Sequence, residues 1–267
     1  MGIEVKDLTV YSALHHPGRL GWNFRKKAVP ALQRLTGVFP KGVNLILGPN
    51  GAGKSLLLRA LAGLIRLQCG TIMLDGRTVD PALLRQNSGY LPQTFDFYPQ
   101  YSAREMLHYI ALLKGMSDRT AVAQVEQVLQ RTALLAAAER KIGGYSRGMR
   151  RQVGIAQVLL GNPSILLLDD PTAGLDPEAC NAFRGMMAQL GRERVIVWAS
   201  SLLTDVGCAD RMLILDRGGC RFWGTPAQLR SEAANSGATA LFGLDGWGGA
   251  DESWSELLEQ GYRLKMR

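Results

Sequence analysis

At 267 residues and 46% hydrophobic side chains, the chain can bury one large core, or a core with an inserted subdomain. It has no apolar run near the ~20 residues a bilayer span needs, and Met1–Lys6 lacks the apolar stretch of a signal peptide, so a cytoplasmic setting is expected. Four scattered cysteines, Cys69, Cys180, Cys208 and Cys220, form no C-x-x-C pair and suggest neither a zinc site nor a disulfide framework.

The net charge of +8 is uneven. Arg19, Arg25, Lys26, Lys27, Arg34 and Lys41 load the start, and Arg140, Lys141, Arg147, Arg150 and Arg151 load the middle. The stretch from Asp245 to Glu259 is acidic. Such a balance can serve nucleic acid, anionic lipid headgroups or solubility alone; without aromatic interleaving of the RNA-binding kind, a membrane surface ranks above nucleic acid, and no nucleic-acid partner is expected.

In chain order, residues 3–11 alternate apolar and polar and read as a half-buried strand. Residues 12–30 read as a long basic loop, in which His15 and His16 have no carboxylate or thiol spaced to complete a metal site. A second strand at about 31–39 leads through Pro40-Lys41-Gly42 into an apolar strand, Val43–Leu47. There follows Gly48-Pro49-Asn50-Gly51-Ala52-Gly53-Lys54-Ser55, which is G-x-x-x-x-G-K-[ST] between a strand and a helix with Leu57, Ala60, Leu61 and Leu64 on one face. Glycines let successive N–H groups turn inward around a polyphosphate, and the helix start adds its positive end. The candidate cradle is therefore Gly48 to Leu56, with Lys54 reaching the β- and γ-phosphates and the Ser55 hydroxyl ligating Mg²⁺.

Cys69–Gly76 reads as a strand ending in an Asp-Gly turn, and Ser88–Gln93 as a strand and its exit. Residues 102–140 carry helical period, as at Met106, Ile110 and Leu113 and again at Val122, Val125 and Leu129, and form a helical insertion. Three further apolar strands follow at 164–170, 194–201 and 211–216, the first ending in Asp169-Asp170. Asp169 stands where a P-loop NTPase holds Mg²⁺ by a carboxylate. From about Ser231 the chain turns Gly/Ala/Ser-rich and ends in a short amphipathic stretch around Trp254, Leu257 and Leu258.

Tyr145-Ser146-Arg147-Gly148-Met149-Arg150-Arg151-Gln152 precedes the Asp169 strand, and Pro171-Thr172-Ala173-Gly174-Leu175-Asp176-Pro177 follows it. With Gly89-Tyr90-Leu91-Pro92-Gln93, these segments resemble the ATP-binding subunits of ABC transporters over about residues 1–230, and Y-S-R-G-M resembles the ABC-2-type exporter branch. The resemblance implies an α/β P-loop NTPase with a RecA-like, mostly parallel sheet, an N-terminal antiparallel β subdomain and a helical subdomain inserted at about 94–160. Residues 231–267 form a tail of unassigned role. It also implies two such subunits, in a homo- or heterodimer, closing head to tail over two MgATP and driving a membrane-spanning permease from the cytoplasmic face of the inner membrane.

By the same resemblance, Ser146, Arg147 and Gly148 bind the γ-phosphate held by the other subunit, and the helix they begin turns Val153, Ala156 and Leu160 inward. Gln93 senses γ-phosphate, Mg²⁺ and water, Asp176 lies at the subunit interface, and Tyr11 stacks on adenine with Trp22 and Phe24 as rivals.

Three positions depart from the family pattern. Asp170 stands where a glutamate positions the attacking water, and its carboxylate sits back by about one C–C bond, ~1.5 Å. Ser201 falls at the switch histidine, with Ser200 as the alternative because one residue is missing nearby. Arg147 replaces the first signature glycine; its β-carbon hinders close backbone approach, while its guanidinium can pair with phosphate oxygens. The expectation is an ATPase that binds MgATP well and hydrolyses it slowly. The alternatives are a nucleotide-operated regulatory subunit of a membrane complex and a soluble ABC protein acting on ribosomes or DNA. The latter class usually carries two nucleotide domains or a long coiled coil.

Overall fold

The computed structural model describes residues 2–11, 30–235, 262–263 and 265–266. The readings of the basic loop at 12–30, with His15, His16, Trp22 and Phe24, and of Trp254, Leu257 and Leu258 lie outside those residues, apart from Pro30 at the loop's end.

Strand β1 (Gly2–Tyr11) lies between β2 (Pro30–Pro40) and β4 (Cys69–Leu74), both antiparallel to it, and β5 (Arg77–Thr78) completes a four-stranded sheet in the order β2-β1-β4-β5. The β4–β5 hairpin turns on Asp75 and Gly76, both at positive φ (49° and 77°), as an Asp-Gly turn requires.

The second sheet runs in the order β10-β9-β3-β8-β7-β6. Strands β3 (Gly42–Leu47), β6 (Ser88–Leu91), β7 (Ile165–Asp169), β8 (Val195–Ser200) and β9 (Arg211–Asp216) are parallel, and β10 (Gly219–Gly224) closes the edge antiparallel to β9. Strands β3, β7 and β8 are buried throughout, which explains their largely apolar sequence. The polar residue inside β3, Asn44, donates from Nδ2 to the carbonyls of Pro40, Gly42 and Ile196. Alternate residues serve two cores. Ile46, Leu167, Val197 and Leu213 pack with the small sheet and helix α1 (Lys54–Leu61), while Leu45, Leu168, Trp198 and Ile214 face the helical side. Phe183 of α6 (Pro177–Gly191) meets Trp198 edge-on, with ring centroids 5.1 Å apart.

Between β6 and β7, helices α3 (Ala103–Leu113), α4 (Asp118–Arg131) and α5 (Arg147–Leu159) pack on one another. Their starts are fixed by Ser102, Ser117 and Ser146, each accepting a hydrogen bond from the N–H three residues on.

Several helical readings need correction. Helix α1 stops at Leu61 because Gly63 takes a left-handed φ of 65°, and Leu64 is 49% exposed instead of extending the buried stripe. In α3 the buried face is Met106, Leu107 and Ala111, and Leu113 is 69% exposed. In α4 Ala121 and Val128 join Val125 and Leu129, whereas Val122 faces outward. A three-residue spacing fits two neighbouring faces of a helix about equally well, and only packing picks one. Leu160 is buried but lies one residue past α5, in extended backbone.

Helix α2 (Pro81–Asn87) and strand β10 escaped the sequence reading, though both had signals. Asp80 before Pro81 is an N-cap followed by an N1 proline, and Arg217-Gly218 is a two-residue hairpin turn at positive φ (48° and 79°). Helix α7 (Pro226–Asn235) follows, and Tyr262 and Met266 pack against the helical-side core.

Candidate functional site

The site is built where β3 ends. Gly51 and Gly53 hold φ of 81° and 105°, values that other side chains resist, and they turn the chain from strand to helix within six residues. No side chain caps α1, so its first-turn N–H groups are not satisfied locally. Asn50, Gly51, Ala52, Gly53, Lys54, Ser55 and Leu56 line one cleft, together with Gln93 and Asp170. The Lys54 ammonium is buried and donates to the carbonyls of Gly48 (2.7 Å) and Pro49 (3.2 Å). Burial lowers its pKa, and the nearby Asp170 and Asp169 carboxylates oppose that shift.

Asp169 ends β7 at 2% exposure, near the Ser55 side chain. Burial pushes its pKa up; the Ser55 hydroxyl works against this, and the Asp170 charge adds to it. A serine hydroxyl and a carboxylate close together beside a nest of backbone N–H groups fit a hard divalent cation carrying phosphates.

Asp170 adopts a left-handed φ of 46°, and its N–H donates to Ala199 on β8 (2.9 Å). Gln93, two residues beyond β6, donates from Nε2 to Asp170 Oδ2 at 3.0 Å. The structure thus brings Gln93, Asp170, Asp169, Lys54 and Ser55 together from three separate segments.

Other candidate residues lie apart from that cleft. Ser146 caps α5 by accepting from Met149 N–H, and Arg147 lines a second cleft with Gln93, Arg150, Arg151 and Gly174. A Cβ placed on Gly148 would meet no atom of the described residues closer than 3.7 Å, so nothing within them requires a glycine there. Asp176 caps α6 through Ala179 N–H (2.8 Å). Tyr11 ends β1 partly exposed, its N–H donating to Gln68 Oε1 (3.0 Å).

The two switch candidates differ in kind. Ser200 is buried at the end of β8 beside Leu47, and its hydroxyl donates to Asp205 Oδ2 (2.7 Å) and accepts from Leu202 N–H. Ser201 is exposed.

Sequence reasoning missed three groups. Arg59 lines the cleft, and the i, i+3 spacing from Leu56 was its only signal. Asp205 is fully buried and accepts from Ser200, Thr172 and Arg184, gathering β8, the segment after β7 and α6 around one carboxylate. Arg151 is buried beneath both carboxylates, and within an arginine-rich run nothing local marked it out.

A profile described as ABC transporter matches residues 34–173. The ABC transporter ATP-binding protein YxlF of Bacillus subtilis is 35% identical over 205 residues, spanning 76% of this chain and 68% of that protein. NatA of the same organism is 34% identical over 79% of this chain and 90% of its own. The Nod factor export ATP-binding protein I of Burkholderia lata is 32% identical over 75% and 67%. Among solved structures, an ATP-binding subunit of an ABC transporter superposes with a TM-score of 0.71 at 26% identity, covering 96% of this chain and 99% of that one. The ATP-binding cassette MJ0796, solved as a dimer in a post-hydrolysis state with ADP and phosphate, gives 0.71 at 21% identity, a likeness of fold. The phosphate-binding loop, the carboxylates closing β7 and these matches lead to one assignment: the chain belongs to the ABC transporter family, as an ATP-binding subunit.

Proposed function

We propose that this chain is the energising ATPase of an ABC-2-type exporter, closing in pairs over MgATP to drive a separate membrane-spanning permease, and that its hydrolysis is slow. The exporter reading rests on the Y-S-R-G-M segment and on similarity to a Nod factor export protein. In this reading Gly48–Leu56 hold the triphosphate, Ser55 and Asp169 hold Mg²⁺ with Gln93, and Asp170 orients water. Tyr11 packs on adenine, while Ser146, Arg147, Gly148 and Asp176 face the second subunit. Residues 1–230 form the nucleotide-binding unit with its helical insertion at about 94–160, and the chain works at the cytoplasmic face of the inner membrane. Among the described residues no helix is long and apolar enough to cross a membrane. The freedom around Gly148 supports the two-subunit reading, since an approaching ligand from outside explains a glycine that the fold does not.

The observation that carries slow hydrolysis is Asp170. Its shorter side chain is already engaged by Gln93 Nε2, and a misplacement of about 1 Å costs on the order of 10²-fold in rate. At the switch-histidine position at the end of β8, Ser201, or Ser200 as its alternative, is uncharged and supplies no cation to steady γ-phosphate, and Ser200 already gives its hydroxyl to Asp205. The same observation favours a second reading, a nucleotide-operated regulatory subunit that closes on ATP with little turnover.

The test is to purify the chain with the membrane protein it captures and measure bound MgATP and turnover together. Nearly full nucleotide occupancy with slow hydrolysis is expected. Turnover in the tens per second, within the ordinary enzyme range, overturns slow hydrolysis. Nucleotide-dependent closure with no turnover selects the regulatory reading.

A further inference from the structure

Arg151 carries no role so far, yet its surroundings are the most constrained of any charged side chain near the site. It lies on α5, five residues after Ser146, at 6% exposure. Its guanidinium donates from Nε to Pro171 O (3.0 Å), from Nη1 to Gln93 O (3.0 Å), and from Nη2 to Asp169 O (2.9 Å) and Asp170 O. The Phe95 ring lies 5.3 Å from its carbon centre, supplying a cation–π contact. Four carbonyls on two separate segments converge on one planar fork, which has five N–H donors and fixed directions.

Burying a guanidinium is costly, and burial does lower its pKa, opposed by the negative charges of Asp170 and Asp169. Solubility gains nothing from a cation placed there. What the arrangement fixes is the backbone at two points. One is Gln93, whose side chain reaches Asp170. The other is Asp169–Pro171, where Asp170 is held in a left-handed conformation that aims its carboxylate. The helix carrying the fork is the one that begins at Ser146 and Arg147.

We propose that Arg151 is a positioning residue for hydrolysis, locking the Gln93 and Asp169–Pro171 backbones to α5 so that a shift of the signature helix moves the water-orienting carboxylate with it. The inference rests on the reading of Asp170 and Gln93 as hydrolytic groups. A lysine offers three donors from one point and cannot span both segments; a glutamine offers two and no charge.

The experiment uses the partner-bound complex with Arg151→Lys, Arg151→Gln and Arg151→Met, each alone and combined with Asp170→Glu. Thermal melting and equilibrium MgATP binding are measured beside kcat and KM. The expected result is kcat lowered at least ~10-fold in Arg151→Gln and Arg151→Met, partly restored in Arg151→Lys, with KM and bound nucleotide within ~3-fold of the parent. The rate gain from Asp170→Glu should also shrink in every Arg151 variant, because the lengthened carboxylate is then no longer aimed. If Arg151→Met does not fold, the Lys and Gln variants decide by the same ratios. Unchanged kcat in folded Lys and Gln variants overturns the proposal, and so does a loss of kcat only in proportion to lost binding and melting temperature. Asp170→Asn serves as the control for the underlying reading. If it abolishes turnover while the Arg151 variants keep theirs, only this proposal fails. If it leaves turnover intact, the hydrolytic reading fails and takes this proposal with it.

Discussion

The two ends of the nucleotide cleft are built by different means. At the P-loop end, eight consecutive residues supply glycine geometry, helix start, ammonium and hydroxyl, so the site is local and carries its own instructions. At the end where β7 and β8 finish, Asp170 depends on Ala199 for its N–H, on Gln93 for its side chain and on Arg151 for its carbonyl. Ser200 depends likewise on Asp205. Holding a polyphosphate needs a rigid cradle, which short-range turn chemistry can make. Aiming a carboxylate needs several segments to agree, and each of them can be retuned without disturbing the cradle.

The sharpest way to break that contrast is Lys54→Ala. Removing the one ammonium at the cradle should lower hydrolysis on the order of 10²–10³-fold, the scale of losing one preorganised electrostatic contact, and should weaken MgATP binding in parallel. Equilibrium nucleotide binding and phosphate release check it; unchanged turnover would mean that the activity comes from elsewhere.

Asp170→Glu probes the other end. Restoring the missing methylene should raise kcat by up to ~10²-fold while binding stays level. Steady-state kinetics against ATP read the split. A gain in binding instead of rate would erase the distinction between the two ends.

Asp205→Ala asks whether the β8 end has its own structural anchor. The change strips the buried counter-charge from Arg184, 2.8 Å away, and removes the acceptor of Ser200 and Thr172. Because Arg184 keeps some contact with water, the expected loss is about 3 kcal/mol, the low end for breaking a buried pair. Denaturant unfolding measures it, and MgATP affinity per folded molecule should be nearly unchanged.

The Asp169 carboxylate predicts a pH effect. Its folded pKa is raised above the ordinary 3.8, chiefly by burial, so the folded state takes up its proton at higher pH than the unfolded chain does. This group's contribution to apo stability is therefore favourable at low pH and is lost as pH rises through the folded value. Mg²⁺ needs the ionised carboxylate. Mg²⁺-dependent nucleotide binding should then fall on acidification earlier than for an unperturbed aspartate, and earlier than in Asp169→Asn, which lacks the titrating group. Calorimetric titrations between mildly acidic and neutral pH test this.

The smallest effect concerns Gly148→Ala. A methyl there meets ordinary van der Waals distances, and alanine in place of helical glycine stabilises by roughly 0.5–1 kcal/mol, so melting should be level or slightly higher. On the proposed two-subunit reading hydrolysis should nevertheless fall, because the methyl would then stand in the approach of the second subunit's nucleotide. A variant equally active and equally stable would remove the two-subunit reading of this glycine.

The near-continuous apolar character of Val43–Leu47, Ile165–Leu168 and Val195–Ala199, broken only at Asn44, made a buried parallel sheet legible. Less legible was which face of a helix would be covered. Met106, Ile110 and Leu113 share a plausible stripe, yet Leu113 stays in solvent, because the partner surface and not the spacing selects the face.

By itself the sequence determined the G-x-x-x-x-G-K-[ST] motif between a strand and a helix, the largely apolar strands β3, β7 and β8, and the identity of the two carboxylates closing β7. Each depends on residues within a few positions of one another, where backbone sterics and side-chain period act directly. Only the tertiary structure decided that Gln93 meets Asp170, that Ser200 is engaged by Asp205 and that Arg151, among five neighbouring or nearby basic residues, is the buried one. Those pairings span 77, 5 and 20 residues of chain, and even the shortest turns on a burial that depends on the strands and helices packed around it. Hydrogen-bond geometry at such contacts is set by packing, which no local pattern encodes.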